Sequence, residues 1–235
     1  MGFMERFKAK SRGNGGVATA ELSPFDEMVV PQGAERGNAG ASTVTLDWIR
    51  ELDAAAKTHG CELIDAPVTG SKAAAAGGEL SFIVGGSETT LNRARPVLEV
   101  MSKSITHLGP VGSGSMVKLI NNFVCGVQLT SMAEAIAMLE RTGIDREKGL
   151  GVMLNGAPGS PMVKLMTARM TAKDYSPNFL MRLLAKDLGY AMKEAAERSV
   201  KLTTAQTALN LLQNAISQGY GDFDMSAVVE PLRKQ

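Results

Sequence analysis

Several residue types are scarce in this chain, and each scarcity removes a class of function. Among 235 residues there are two cysteines, two histidines, one tryptophan and three tyrosines. Cys61 and Cys125 have no paired spacing and no neighbouring histidine, so neither a disulfide framework nor a zinc site follows from them. His59 and His107 have no partner at ligand or relay spacing; no metal is expected and neither residue is given a role. Excess charge of either sign is also missing, with 25 basic residues against 24 acidic ones. No field is therefore available to recruit nucleic acid or an anionic membrane, and the one basic cluster, Arg6, Lys8, Lys10 and Arg12, reads as a solvated tail. The first 30 residues lack the apolar core of a signal peptide. No unbroken apolar run approaches the ~18 to 20 residues that span a bilayer. A soluble, cytoplasmic protein is expected.

What is present falls into three parts. Residues 1–40 are rich in Gly, Pro and charge ("SRGNGG", "LSPFDE", "PQGAERGNAG") and read as a flexible leader. From Thr43 the pattern changes: Leu46, Ile49, Leu52, Ala55 and Ala56 share one helical face, and Gly60 ends it. "CELIDAPV" and "LSFIVGG" are short apolar runs of strand length. Ser87 is a good N-cap for a helix over "ETTLNRARPVLEVMS", whose middle is perturbed by proline, and "SITHLG" reads as a third strand. Residues 41–112 are thus α/β. Beyond Gly114 no strand pattern recurs. Met116, Leu119, Ile120, Phe123, Val124 and Val127 open an apolar pattern that continues through Met132, Ala135, Ile136 and Leu139 to Gly143, a single helix of about 28 residues. Ser160-Pro161 marks another helix start, and "FLMRLLAKDLGYAMKEAAER" and "TTAQTALNLLQNAISQG" supply two more helices. Residues 113–235 are all-α, with methionines filling apolar helical positions.

Three stretches could carry chemistry. Thr69-Gly70-Ser71-Lys72, between two apolar runs, is either a plain turn or a small concavity of backbone N–H groups and a hydroxyl suited to an anion. In "GPVGSGSMVKLINN", Gly112 and Gly114 let the backbone approach a neighbour closely, and Lys118 and Asn122 share a helical face. Lys118 is either a surface lysine or, in a cleft near a helix start, a lysine of depressed pKa able to exchange a proton near neutrality. Ser115 stands where a phosphate-cradling loop would have its lysine, which excludes that motif. Lys186-Asp187 in "AKDLGYAMKEA" reads, by itself, as an exposed helical patch.

Taken together these stretches resemble the β-hydroxyacid dehydrogenase family. "LIDAPVTGSKAAAAGGEL" is similar to its substrate-binding signature, "GPVGSGSMVKLINN" to its catalytic segment, and "FLMRLLAKDL" and "GYGDFDMSAVVE" to later motifs, in the family's order over residues 41–235. Gly70-Ser71-Lys72 leans toward the glyoxylate and succinic semialdehyde reductase branch, although Ala74 stands where that branch has proline. The resemblance implies an NAD- or NADP-dependent oxidoreductase of a small hydroxy acid, aldehyde or keto acid. Lys118 would be the proton donor and acceptor, with Asn122 orienting the substrate. Thr69, Gly70 and Ser71 would hold the substrate carboxylate, and Thr43, Phe179, Lys186 and Asp187 would contact the cofactor. The implied fold is an α/β remnant of a Rossmann domain followed by an all-α domain resembling the C-terminal domain of 6-phosphogluconate dehydrogenase, with a long interdomain helix.

One departure matters. The family begins with a strand, a G-x-G-x-x-G turn and a helix, followed by further β/α units, and the 42 residues before Thr43 are too few for that half. Gly13-Asn14-Gly15-Gly16-Val17-Ala18 fits the pattern on paper, but no apolar strand precedes it and Pro24 cuts short any helix after it. The alternative to an enzyme is therefore a truncated, non-catalytic relative serving as an oligomerisation or interaction module. A sheet that lacks part of its partner strands leaves an open edge and an apolar face. Self-association as a homodimer or larger is the expected outcome; sedimentation velocity at micromolar concentration checks it, and a well-folded monomer would contradict it.

Overall fold

The structure, a computed structural model, describes residues 37–40, 43–70 and 72–235. It divides into two compact units: the chain up to Ser42 with Arg50–Gly114, and Thr43–Ile49 with Ser115–Gln235.

The first unit is α/β. Strands β1 (Gly37–Gly40) and β2 (Glu62–Asp65) pair in parallel, with Gly37 opposite Glu62 and Gly40 opposite Asp65. The connection between them includes α1 (Leu46–Thr58). A second sheet has the order β3 (Val68–Thr69), β4 (Leu80–Val84), β5 (Ser102–His107), antiparallel then parallel. The short α2 (Lys72–Gly77) lies between β3 and β4, and α3 (Glu88–Glu99) makes the crossover from β4 to β5. The Ser87 hydroxyl caps α3 by accepting from Thr90 N, and Thr90 Oγ1 donates to Glu62 on β2 at 2.7 Å. Helix α3 runs on through Pro96 rather than breaking there. Ile64, Ala66, Phe82, Val84, Leu91 and Leu98 form the core of this unit. His107 Nε2 donates to the Gly86 carbonyl at 2.8 Å, a structural role.

Asp65 joins the two sheets. Its backbone exchanges hydrogen bonds with Gly85 at 3.0 and 2.8 Å, and its Oδ1 accepts from Gly112 N at 2.7 Å, just before α4 (Ser113–Leu139) begins. A Cβ on Gly114 would lie 2.3 Å from the Ile83 carbonyl oxygen and 2.9 Å from that of Asp65. The neighbour that the sequence "GPVGSGS" admits so closely is thus the sheet's own backbone, with Gly112 at φ 93° turning the chain into the helix.

The second unit is helical: α4 from Ser115 onward, α5 (Arg146–Asn155), α6 (Pro161–Ala172), α7 (Met181–Glu197) and α8 (Thr203–Ala215). A π-helical turn (Ile216–Tyr220), a 3₁₀ turn (Met225–Val228) and α9 (Val229–Arg233) close the chain. Ser160 caps α6 through Val163 N, with Pro161 at the first helical position. Leu129, Met132, Ile136, Met166, Met170, Met181, Leu184, Leu188 and Leu212 pack as one core. Gly126 brings α4 close to α7, since a Cβ there would meet Leu188 at 2.8 Å.

Two expectations need revision. The leader was expected to run to residue 40, but Gly37–Gly40 form β1; GNAG has no β-branched or alternating residues to announce a strand. Residues 1–36, including the Gly13–Ala18 run, lie outside the described residues. The boundary at 112/113 falls instead within the first turn of α4, and Thr43–Ile49 belong with the helical unit because Leu46 N donates to Glu194 (3.2 Å) and Lys193 Nζ to Asp47 (2.5 Å). Helix α4 is long and apolar enough to span a membrane by length and composition, although it contains no unbroken apolar run, in keeping with the sequence. Its face carrying Leu129, Met132, Ala133 and Ile136 is in the helical core, as in a core helix of mixed polarity.

Two glycines test this packing. Gly114→Ala should destabilise the protein by about 2–3 kcal/mol through overpacking against the sheet backbone. Gly151→Ala in α5, where a Cβ meets nothing within 4 Å, should stabilise it by about 0.5–1 kcal/mol. Urea unfolding of both variants checks the contrast, which fails if Gly114→Ala is neutral.

Candidate functional site

Lys118 sits in the second turn of α4 and Asn122 one turn further along the same face. Asn122 is buried and Lys118 half-buried. On α7, Asp187 is 2% exposed, and a carboxylate so far from water requires partners. It has two: Asn122 Nδ2 donates to Oδ2 at 2.6 Å, and the Lys186 ammonium lies 2.9 Å from Oδ1. Lys186 also donates to the Thr43 carbonyl at 2.6 Å and lies 4.9 Å from the centroid of the Tyr190 ring. Asn122 Oδ1 in turn accepts from Asn121 Nδ2 at 3.1 Å, so both ends of its amide are fixed and its orientation follows from the network.

Burial sets the electrostatics. It pulls the Lys118 pKa below that of an ordinary lysine, partly offset by the attraction of Asp187 and, less, of Cys125. Burial likewise raises Asp187 above the usual carboxylate range, against the opposing pull of Lys186, Asn122 and Lys118. The Cys125 thiol, two turns beyond Lys118, is pushed up by burial and pulled down by Lys118. A lysine whose charged form is disfavoured by burial, beside a fixed amide, is suited to exchanging a proton.

Phe179 stands at the entry to α7, packed against the helical core. Its position depends on a buried carboxylate more than 40 residues away. Asp224 is fully buried; its Oδ2 accepts from Asn178 N and Phe179 N at 3.0 and 3.2 Å, while Oδ1 accepts from Arg169 Nε at 3.2 Å and the Ser226 hydroxyl at 2.6 Å. The Phe179 carbonyl accepts from Met225 N.

The structure thus brings five of the sequence-derived residues, Thr43, Lys118, Asn122, Lys186 and Asp187, into one neighbourhood of the helical unit, with Phe179 held in place at the start of α7. Lys186 and Asp187 do not form the exposed patch that their helix alone suggests. Thr69 and Gly70 belong to the α/β unit, on β3 opposite Ser81 and at the turn that follows; Gly70 has φ 136°, a conformation for glycine. Ser71 lies outside the described residues. Asp65 and Asp224 are the structural anchors that sequence reasoning did not single out; the only signal was an acidic residue inside each of two quoted motifs. Among the described residues, no three His, Cys, Asp or Glu side chains gather in a metal-holding group.

Comparison with known proteins gives concordant matches. Residues 112–232 match the family profile described as NAD-binding of NADP-dependent 3-hydroxyisobutyrate dehydrogenase, and residues 32–109 match that of the NAD binding domain of 6-phosphogluconate dehydrogenase. An NAD-dependent L-serine dehydrogenase of Pseudomonas aeruginosa is 36% identical over 195 residues, covering 80% of this chain and 65% of that protein. An L-threonate dehydrogenase of Escherichia coli is 34% identical, covering 88% and 69%. Among solved structures, the 3-hydroxyisobutyrate dehydrogenase of Mycobacterium tuberculosis, determined with L-serine, superimposes with a TM-score of 0.77 at 33% identity, covering 85% of this chain and 70% of that one. The chain therefore spans about two thirds of the length of these relatives.

The geometry makes a direct electrostatic prediction. Asp187→Asn removes the attraction that partly offsets burial at Lys118, so the Lys118 midpoint should move further down. NMR titration of isotopically methylated lysines reads it; an unmoved or raised midpoint would show that Asp187 does not act on Lys118.

Proposed function

We propose that this chain, which belongs to the β-hydroxyacid dehydrogenase family, carries out proton transfer in the NAD(P)-dependent interconversion of a small hydroxy acid and its carbonyl form. The observation that carries this reading is Lys118: a lysine drawn toward its neutral form by burial, one turn from an amide fixed by a buried carboxylate. The family's cofactor is NAD or NADP, and when bound its nicotinamide would supply or accept the hydride at the substrate carbon. The donor set suits the remaining task. In reduction the Lys118 ammonium gives its proton to the oxygen that gains charge; in oxidation the neutral amine takes the hydroxyl proton. Asn122 retains one amide N–H beyond the one given to Asp187, and with it would orient the same oxygen.

Thr69, Gly70 and Ser71 would receive the substrate carboxylate. The relatives named for L-serine, L-threonate and 3-hydroxyisobutyrate are named for small hydroxy acids, which supports a substrate of that class. Thr43, Lys186, Asp187 and Phe179 would form the helical unit's wall toward the cofactor. Because Lys186 is already engaged by Thr43 and Asp187, its part there is to hold that wall in shape. Asp224, through Phe179, would hold the entry to α7.

Binding of NAD(P)H, followed by nicotinamide fluorescence, together with NAD(P)H-dependent turnover of glyoxylate or succinic semialdehyde, tests the proposal. A folded protein indifferent to both cofactors at millimolar concentration would overturn it for this chain and leave the interaction module as its role. Given activity, Lys118→Ala should lower turnover by about 10²-fold or more with cofactor affinity nearly unchanged. The pH dependence has a fixed sign. Oxidation needs the amine, so its rate should rise with pH and level off at a pKa below 10.5. Reduction needs the ammonium and should fall through the same pKa.

A further inference from the structure

The far end of the helical unit holds a cavity of about 390 Å³ lined by Ala137, Glu140, Arg141, Arg146, Lys173 and Arg233. This volume lies in the roughly 300–1,000 Å³ range of small-molecule sites. Lys118 and Ala137 are 19 residues apart on α4, about 28 Å along the helix at ~1.5 Å per residue, so the cavity is separate from the Lys118 neighbourhood.

Its lining is cationic and incompletely neutralised. Arg233 grips both Glu140 oxygens, at 2.8 and 2.6 Å, and also reaches Glu230 at 2.7 Å. Tyr175 Oη donates to that same Glu230 carboxylate. Arg141 spends its guanidinium on two backbone carbonyls, Ala137 at 3.3 Å and Leu232 at 2.7 Å, neither of which cancels its charge. Arg146 comes no nearer than 4.0 Å to Glu140. Lys173 has no ion pair within 4 Å among the described residues. The nearby Asp145 and Asp174 are turned to other partners, Lys148 N and Arg169. Four cations thus face two carboxylates, an excess of two positive charges around one cavity.

The backbone supplies a second observation. Lys173 caps α6 in the left-handed region at φ 52°, ψ 33°, where a non-glycine residue is uncommon and where a glycine or asparagine would be more at ease. A lysine thus occupies a position its backbone disfavours, and it is one of the residues lining the cavity.

We propose that this cavity binds a small dianion, a phosphate monoester or a dicarboxylate, as a ligand of the helical unit distinct from the substrate. Two negative charges match the excess, and the guanidinium fork of Arg146 suits paired oxygens of either ligand type. Neither the cofactor nor Lys118 is part of this site, so anion binding here does not depend on the catalytic role of Lys118.

Isothermal titration of the intact chain with glycerol 3-phosphate, succinate and, as a monoanion control, acetate tests it at ionic strength held constant with sodium chloride. Saturable binding of at least one dianion below about 10 mM, with acetate clearly weaker, is expected. Lys173→Gly removes the charge and relieves the backbone, so it should fold at least as well as the parent yet bind the dianion about tenfold or more weakly. Arg146→Gln should weaken binding similarly. Stronger response to glycerol 3-phosphate identifies a phosphate site and to succinate a dicarboxylate site. The proposal is overturned if neither dianion gives saturable heat, if acetate binds equally well, or if both variants retain parental affinity.

Discussion

A carboxylate cannot be taken out of water without partners, and the buried Asp187 organises the helical unit around that requirement. Its partners come from distant parts of the chain: Asn122 lies 65 residues earlier on α4, while the neighbouring Lys186 reaches back to the carbonyl of Thr43. Removing a partner from a buried carboxylate is costly, because the remaining charge loses what offset its desolvation. Asn122 is consequently fixed in place and in amide orientation, and Lys118, one turn before it, inherits that position. The lowered affinity of Lys118 for its proton then follows from burial.

Two more carboxylates do comparable work. Asp65, wholly buried in the α/β unit, links the two sheets through its backbone and holds Gly112 N through its side chain, so the start of α4 is set by the strands. Asp224 accepts from two successive N–H groups at Asn178 and Phe179 and from Arg169, fixing the chain as it enters α7. A carboxylate accepting backbone N–H groups can satisfy a loop or helix entry that has no regular ladder to serve it. In each case an anion defines a junction between elements.

Much of the architecture was legible because periodicity and capping are local. Leu46 to Ala56 announce α1, Ser87 announces α3, and Ser160-Pro161 announce α6, all from contacts within a few residues. The positions of Lys118 and Asn122 on one face were readable for the same reason. What could not be read was which residue Asn122 would meet, since no spacing rule connects positions 122 and 187. Nor could Gly114 be assigned a neighbour: the sequence shows that a Cβ is missing, and only the fold shows the Ile83 and Asp65 carbonyls in the space it would take. Strand β1 was missed for the opposite reason. Its GNAG sequence has no pattern of its own, and it is a strand by virtue of pairing with β2.

The helical unit uses charge in two contrasting ways. Around Asp187 the carboxylate and its amide partner are withdrawn from solvent, so their interactions are weakly screened; burial competes directly with attraction, and that competition tunes Lys118. At the other end of α4 the cations outnumber the carboxylates and keep much of their hydration. Their attraction for an anion must therefore compete with water and with salt, whose screening length is about 8 Å at physiological ionic strength. Added salt should act mainly on that solvated end, while the proton affinity of Lys118, governed by burial and by a carboxylate shielded from solvent, changes little. The same helix can thus carry one site whose electrostatics are built into the packing and another whose electrostatics respond to the surrounding solution.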